Sequence, residues 1–519
     1  MAMLIFGRAG LVRVVRPVSD FYVAGRLMPA LFNGLAIAVS LMALLVFVGA
    51  GGAVGPGWKG LGAVLLGVGL GLLVGGLLLA PYLRQFGGYT LPDFLAERFG
   101  GDKVRPLAVL AVIVCGFPAL AVVLMAFGML STAVFSLPVP IGIGGGVAMI
   151  FVCILIGGMR SLSVSQIAQY VVLLAAALAA IVVALWQTGT LFAVERLLAD
   201  EVVPGAGLNV FAQDSGQNGG MNRVALVFCL AAGIAALPAV LMRGFTTPTP
   251  SEARGSFLLA LPFAGLLLLG APALGALYEA AAVRAGDALS MIAEGVLTVA
   301  ALATLLAAGG ALALSVGNVL SYDIYFKSLN PTASVRRQVF VARICVIVVT
   351  GLAGLSAIAF PQESLTGASA MLSLAASTLL PVLVLGVWWK RATADAALAG
   401  MVAGTLVCLY YMVGPHTIPF AFYESSSFFS DASDAQVAAY ERLRNDYYLA
   451  ADDAAKAAVL AAWDESVRPI TNWFGVRAVF AGLFAVPAGF LVTIVVSLFT
   501  RAPSENVRRL VDNLRTRAA

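Results

Sequence analysis

Stretches of about 20 continuously apolar residues recur along almost the whole chain, each long enough as a helix to cross a hydrocarbon core of roughly 30 Å. In lipid only helices and closed barrels satisfy their own backbone polar groups. Barrel strands alternate apolar and polar residues over segments of about ten, a pattern these runs lack. The fold class is therefore an all-α polytopic membrane protein. Composition agrees, because a chain that is 61% hydrophobic and 11% charged cannot clothe a water-soluble surface. The lipid bilayer is its first partner.

Twelve spans are expected, at about 29–52, 60–82, 107–135, 138–158, 166–187, 223–243, 257–280, 294–320, 339–360, 366–389, 394–414 and 475–500. Threaded alternately from a cytoplasmic N-terminus, they leave most Lys and Arg inside, including Arg8, Arg13, Arg16 and Arg26 and the tail from Arg501 to Arg517. The expected location is the cell inner membrane with both termini cytoplasmic. The expected organisation is an N-terminal arm (1–28), a core of eleven helices (29–414), an extracytoplasmic acidic insertion (415–474), a last span (475–500) and a basic tail (501–519).

The arm, MAMLIFGRAGLVRVVRP, is too short to span and is broken by Arg8 and Arg13, so it reads as cytoplasmic or interfacial rather than as a signal peptide. The insertion holds Glu424, Asp431, Asp434, Glu441, Asp446, Asp452, Asp453, Asp464 and Glu465, and its Ala-rich, charged stretches suit surface helices. It reads as a solvated spacer or as a cap. Spans 1–5 and 6–10 have opposite orientations, the arithmetic of an inverted repeat. Gly67, Gly71 and Gly75, four residues apart, suit close helix packing.

Several function classes drop out. The +5 net charge comes from basic residues scattered singly between apolar runs, so no nucleic-acid surface is implied. The five cysteines lie unpaired in apolar runs, and one histidine, His416, cannot make a metal cluster. No buried carboxylate pair or nucleophile motif points to an enzyme.

DFYVAGRLMPALFNGLAIA (20–38), YTLPDFLAERFG (89–100), GGMRSLSVSQIAQ (157–169), LPAVLMRGFTTPTPSEARGS (237–256), ALSVGNVLSYDIY (313–325) and AVFAGLFAVPAGFLVTIVVSLFTRAPSENVRRLVDNLR (478–515) resemble, in order, the sodium:solute symporter family, in particular its cation/acetate symporter-like branch. The resemblance implies a LeuT-like bundle of five plus five inverted helices with flanking spans. It implies cation-coupled symport of a small organic solute, a short monocarboxylate such as acetate, by alternating access. The family has a further span ahead of the entry motif, which residues 1–19 cannot supply. A transport-inactive sensor or partner subunit is the alternative.

In such folds solute and ion bind near the midplane, where helices 1 and 6 are interrupted. Span 6 offers Gly233 and Pro238, whereas span 1 has breakers only late, at Gly49, Gly51 and Gly52. The carrier reading would fail if the middles of both crossings were unbroken and tightly packed. Thr366, Ser369, Ser373 and Ser377 share one face of span 10, either lining a cavity or bonding their own helix. Thr304, Ser315 and Asn318 fall in span 8.

No cofactor is expected beyond Na+ as coupling ion. The resemblance places the family's sodium-binding hydroxyl pair on Ala307 and Ala308, which lack side-chain ligands, and a carboxylate of the branch on Ser40. Ser40 and Met42 remain on helix 1, with Thr304 as a substitute ligand. Sodium held by carbonyls and hydroxyls, facilitated transport, and loss of transport all stay open. With no acid deep in any span and no Arg or Lys buried, a solute carboxylate would be met by helix N-terminal amides. Arg243, Arg254, Asp323 and Lys327 read as helix-end charges and anchors, with gate ion pairs as the other reading.

Overall fold

The computed structural model describes residues 18–49, 58–100, 103–155, 157–188, 219–283, 288–430, 432–463 and 467–516. Most of the N-terminal arm, Gly51, Gly52, Asp431, Asp464 and Glu465 lie outside them, as do the side chains of Thr366 and Ser369.

A short helix α1 (Val18–Val23) leads into α2 (Ala30–Gly49), then α3 (Trp58–Val74), a π-helical turn, α4 (Ala80–Phe86) and the short α5 (Leu91–Phe99). The long α6 (Val104–Phe135), α7 (Val139–Ile154) and α8 (Met159–Thr188) follow. The next group is α9 (Gly219–Ala236), α10 (Pro238–Leu241), α11 (Pro250–Val283), α12 (Ala288–Val319), α13 (Val335–Ala359), α14 (Pro361–Trp388) and α15 (Ala394–Thr417). After these come α16 (Pro419–Ser426), α17 (Asp434–Leu449), α18 (Asp453–Ala462), α19 (Gly482–Phe499) and α20 (Glu505–Thr516). Among the described residues nine helices are long and apolar enough to cross a bilayer, and two bent pairs bring the number to eleven. With the shorter apolar α7 they occupy the twelve stretches expected.

The two bends position the site. In the sixth crossing Leu237 adopts an extended conformation (ψ 119°), and α10 restarts with Pro238 in its first turn, 50° off the direction of α9. Pro238 has no N–H for the Ile234 carbonyl, which instead accepts from the Leu237 N–H at 3.4 Å. Gly233 does not break the helix: a Cβ there would meet Leu372 Cβ at 2.7 Å, so it brings α9 close to α14. The first crossing departs from expectation. α2 is continuous to Gly49, and the 104° bend lies ahead of it, at residues 27–29. Just before that bend Ala24, Gly25 and Arg26 all have left-handed φ of 53°, 65° and 57°.

Close backbone approach is again the role of the glycines in α3, where a Cβ at Gly67 or Gly71 would meet Leu230 Cβ or Ile234 Cβ at 2.7 and 2.9 Å. α16 to α18 enclose their own small core of Phe420, Tyr423, Tyr440, Trp463, Val467 and Ile470. Ser433 and Gln436 form a capping box on α17, and Asp452 caps α18. Gly414 and Pro415 do not end α15, which runs through them to Thr417.

The C-terminal segment after residue 500 forms the amphipathic α20, with Val511 and Leu514 buried and Asp512 paired to Lys390 at 2.5 Å. Beneath it, the fully buried Arg98 of α5 donates to the carbonyls of Gly386, Trp389 and Ala392 at 2.7–3.2 Å, closing the end of α14. Burial pulls its guanidinium down to about 10, still charged at neutral pH. Arg98→Ala would take a charged donor from all three carbonyls, leaving that of Trp389 only the Ala392 N–H. It is expected to destabilise the detergent-solubilised protein by about 3 kcal/mol, read as a lower midpoint in thermal unfolding.

Candidate functional site

Where α2, α8, α12 and the segment after α10 meet, one amide ties them together. Gln166 of α8 donates from Nε2 to Ser40 Oγ on α2 at 2.9 Å and to the Ala307 carbonyl on α12 at 2.7 Å. Its Oε1 accepts from Arg243 Nη2. Arg243 Nη1 reaches Ser163 Oγ, one turn before Gln166, at 2.7 Å. The Arg243 carbonyl accepts from Asn33 Nδ2 at 2.9 Å and from Thr246 Oγ1 at 2.7 Å. Ser40 spends its own proton on the Ala36 carbonyl.

Arg243 is 0% exposed, and no carboxylate among the described residues pairs with it. Its Nε has no hydrogen-bond partner. This corrects two expectations, that no arginine is buried in a span and that Arg243 is a surface anchor. The extended break at Leu237 turns the chain so that α10 and its continuation carry Arg243 into the bundle. A buried guanidinium held only by neutral groups costs several kcal/mol unless an anion completes it. Its side-on edge, Nε and Nη2, offers two parallel donors to one acceptor, whereas a carboxylate supplies two.

Of the residues singled out from sequence, the structure brings together Ser40 and Ala307, with Met42 and Ala308 buried on the same helices. Thr304 is buried and bonds back to the Ala300 carbonyl, so its proton is used within its helix. Ser373 and Ser377 do not join this group. They donate to the carbonyls of Val479 and Ser373, on the side of α14 that meets α15 and α19. Gln166, Ser163 and Asn33 were missed. The signal was present: Ser163, Gln166 and Gln169 recur every three residues in a helix that is otherwise largely apolar, and Asn33 interrupts an apolar run.

Nearer the end of the bundle that carries α20 lies a charged seal. Arg105 Nη1 bridges Asp323 Oδ1 at 2.6 Å and Asp93 Oδ1 at 3.2 Å, Lys327 lies 3.5 Å from Asp93, and Thr90 Oγ1 donates to Asp323 Oδ2 at 2.7 Å. Asp323 and Lys327 do not follow the eighth span; α12 continues through a π-helical stretch to Leu329, and Asp323 is 0% exposed inside it. Tyr22, Tyr89 and Tyr322 pack ring against ring at 5.1–5.8 Å, and Tyr22 donates to Ser321 Oγ at 3.0 Å. Arg26 lies over the Tyr89 ring and donates to the Gly87 carbonyl, fastening the left-handed turn to the α4–α5 loop. One turn before Tyr322, Asn318 is fully buried with both amide atoms unpartnered.

Comparison with known proteins adds three findings. The model of the sodium:solute symporter family matches residues 21–404. A protein of Cupriavidus necator described as an uncharacterized symporter is 28% identical, over 99% of this chain and 92% of its own. The solved structure of a Na+-coupled sialic acid symporter, substrate-bound and outward-open, superposes with a TM-score of 0.68 at 14% identity, covering 97% of this chain and 96% of that one. The fold is thus that of the LeuT-like transporters, five helices plus five inverted ones with flanking spans.

Removing Arg105 would leave Asp323 buried and uncompensated. Arg105→Ala is expected to raise severalfold the rate at which a maleimide labels an Asn318→Cys thiol, compared with the same thiol behind an intact seal.

Proposed function

The chain belongs to the sodium:solute symporter family and is a multi-pass membrane transporter of the cation-coupled symport type, and from that premise we propose that it carries a short monocarboxylate such as acetate together with Na+. The observation that carries this reading is Arg243, a fully buried cation without a carboxylate partner among the described residues, placed by the broken sixth crossing beside the aligned cation position. A small anionic solute supplies the missing charge, and its two oxygens suit the Nε and Nη2 edge. The oxygens of Ser40 and Ala307 supply part of a cation site although the aligned side-chain ligands are gone. The end bearing α20 faces the cytoplasm in this reading, in keeping with its Arg-rich tail, and the Arg105 and tyrosine seal closes the inner route. Release inward requires that seal to part.

Reconstituted in liposomes, the protein is expected to accumulate labelled acetate or a related acid when an inward Na+ gradient is imposed. Uptake at the empty-liposome level across a panel of such acids, under both sodium and proton gradients, would move the reading to a sensor or partner subunit. Arg243→Leu is expected to abolish uptake while the protein stays folded, since it removes a charge that no acidic side chain among the described residues balances; Arg243→Lys should retain little, because an ammonium cannot offer the side-on pair. Restoring hydroxyls with Ala307→Ser and Ala308→Ser should lower the Na+ concentration that half-saturates uptake.

A further inference from the structure

Gln166 stands between the two halves of the proposed substrate pair. A guanidinium only donates, so the amide oxygen faces Arg243; the Ala307 carbonyl only accepts, so the amide nitrogen faces it. Ser40 gives its proton to Ala36, leaving its lone pairs toward the same nitrogen. Two oxygens from two helices therefore converge on a partly positive NH2 group. That group holds the place a cation would take.

If the amide turned about its terminal bond, which is a soft two-fold rotor, Oε1 would join Ser40 Oγ and the Ala307 carbonyl as a third oxygen for a cation. Nε2 would then face Arg243, donor against donor, and Nη2 would lose its acceptor beside an Nε that already lacks one. Cation entry is thus opposed as long as Arg243 depends on Gln166. A carboxylate seated on Nε and Nη2 ends that dependence, and its negative charge also offsets repulsion between the guanidinium and the incoming cation.

We propose that Gln166 is an amide latch that makes cation binding at Ser40 and Ala307 and carboxylate binding at Arg243 depend on one another. The latch rests on the reading of Arg243 as the carboxylate's partner. It assigns to one neutral side chain the task of weakening the binding of either ligand alone.

The test uses purified full-length protein with 22Na+ as one probe and labelled acetate, propionate, lactate or pyruvate as the other, choline replacing sodium in the controls. In the wild type, saturating acid is expected to tighten Na+ binding about tenfold, and Na+ to tighten acid binding by the same factor, as linkage requires. Gln166→Glu is isosteric and sets a permanent carboxylate oxygen on Arg243, with its other oxygen toward Ser40 and Ala307. It should bind Na+ without acid as tightly as the acid-loaded wild type does, lose its response to acid, and show a thermal midpoint that rises with NaCl but not with choline chloride. Gln166→Leu, which removes both amide ends, should bind acid equally with and without Na+.

If wild type binds both ligands and each ignores the other, or if Gln166→Glu or Gln166→Leu keeps the wild-type coupling, the latch is wrong and the transport reading stands. If no acid in the panel binds wild type at any Na+ concentration, the reading of Arg243 fails and the latch falls with it.

Discussion

Hydrocarbon offers no hydrogen-bond partner, so every polar group inside this bundle must find one in the protein or in what the protein carries. Most of the buried polar side chains obey this in an ordinary way. Thr304, Ser373, Ser377 and Thr493 return their protons to helix carbonyls, and Arg98 spends its guanidinium on three carbonyls at the end of α14. Against that background Arg243 differs from Arg98 in its unfilled donor: its two terminal nitrogens reach neutral side chains, its Nε reaches nothing, and no acid among the described residues pairs with it. The proposal of an anionic solute rests on this one imbalance.

Two kinds of electrostatics occupy different levels of the bundle. Near the α20 end, Arg105 and Lys327 meet Asp93 and Asp323, so the charges cancel and the seal is self-sufficient. At Arg243 no acid among the described residues cancels the charge, and in the proposed function a solute carboxylate does so. A carrier needs both, since a closed route must be stable without solute and the binding position must not be satisfied without it. The left-handed turn at residues 24–26 joins the two levels, because it is fastened to the α4–α5 loop and leads directly into α2, which carries Asn33 and Ser40.

Much of the architecture was legible in the sequence because lipid leaves few choices. Run length located the crossings, glycine spacing in α3 located a close helix pair, and Pro238 marked the interrupted sixth crossing. The site was legible only in fragments. Ser40 and Ala307 could be named from the resemblance, yet the groups that join them, Gln166 and Arg243, carry no spacing signal relative to one another because they come from different helices. The serines of α14 misled for the opposite reason: a one-sided polar stripe looks the same whether it faces a cavity or the carbonyls of a neighbouring helix.

The sequence by itself determined that the chain lives in a bilayer as a bundle of helices, and where the sixth must break, because hydropathy and the missing proline N–H are properties of local residues. Only the tertiary structure decided that Arg243 is buried with no counter-ion among the described residues, that Gln166 spans Ser40, Ala307 and Arg243, and that Asp323 is sealed beneath Arg105. Those facts depend on how separate helices are rotated and stacked against each other, and a linear pattern of residues does not encode which faces meet.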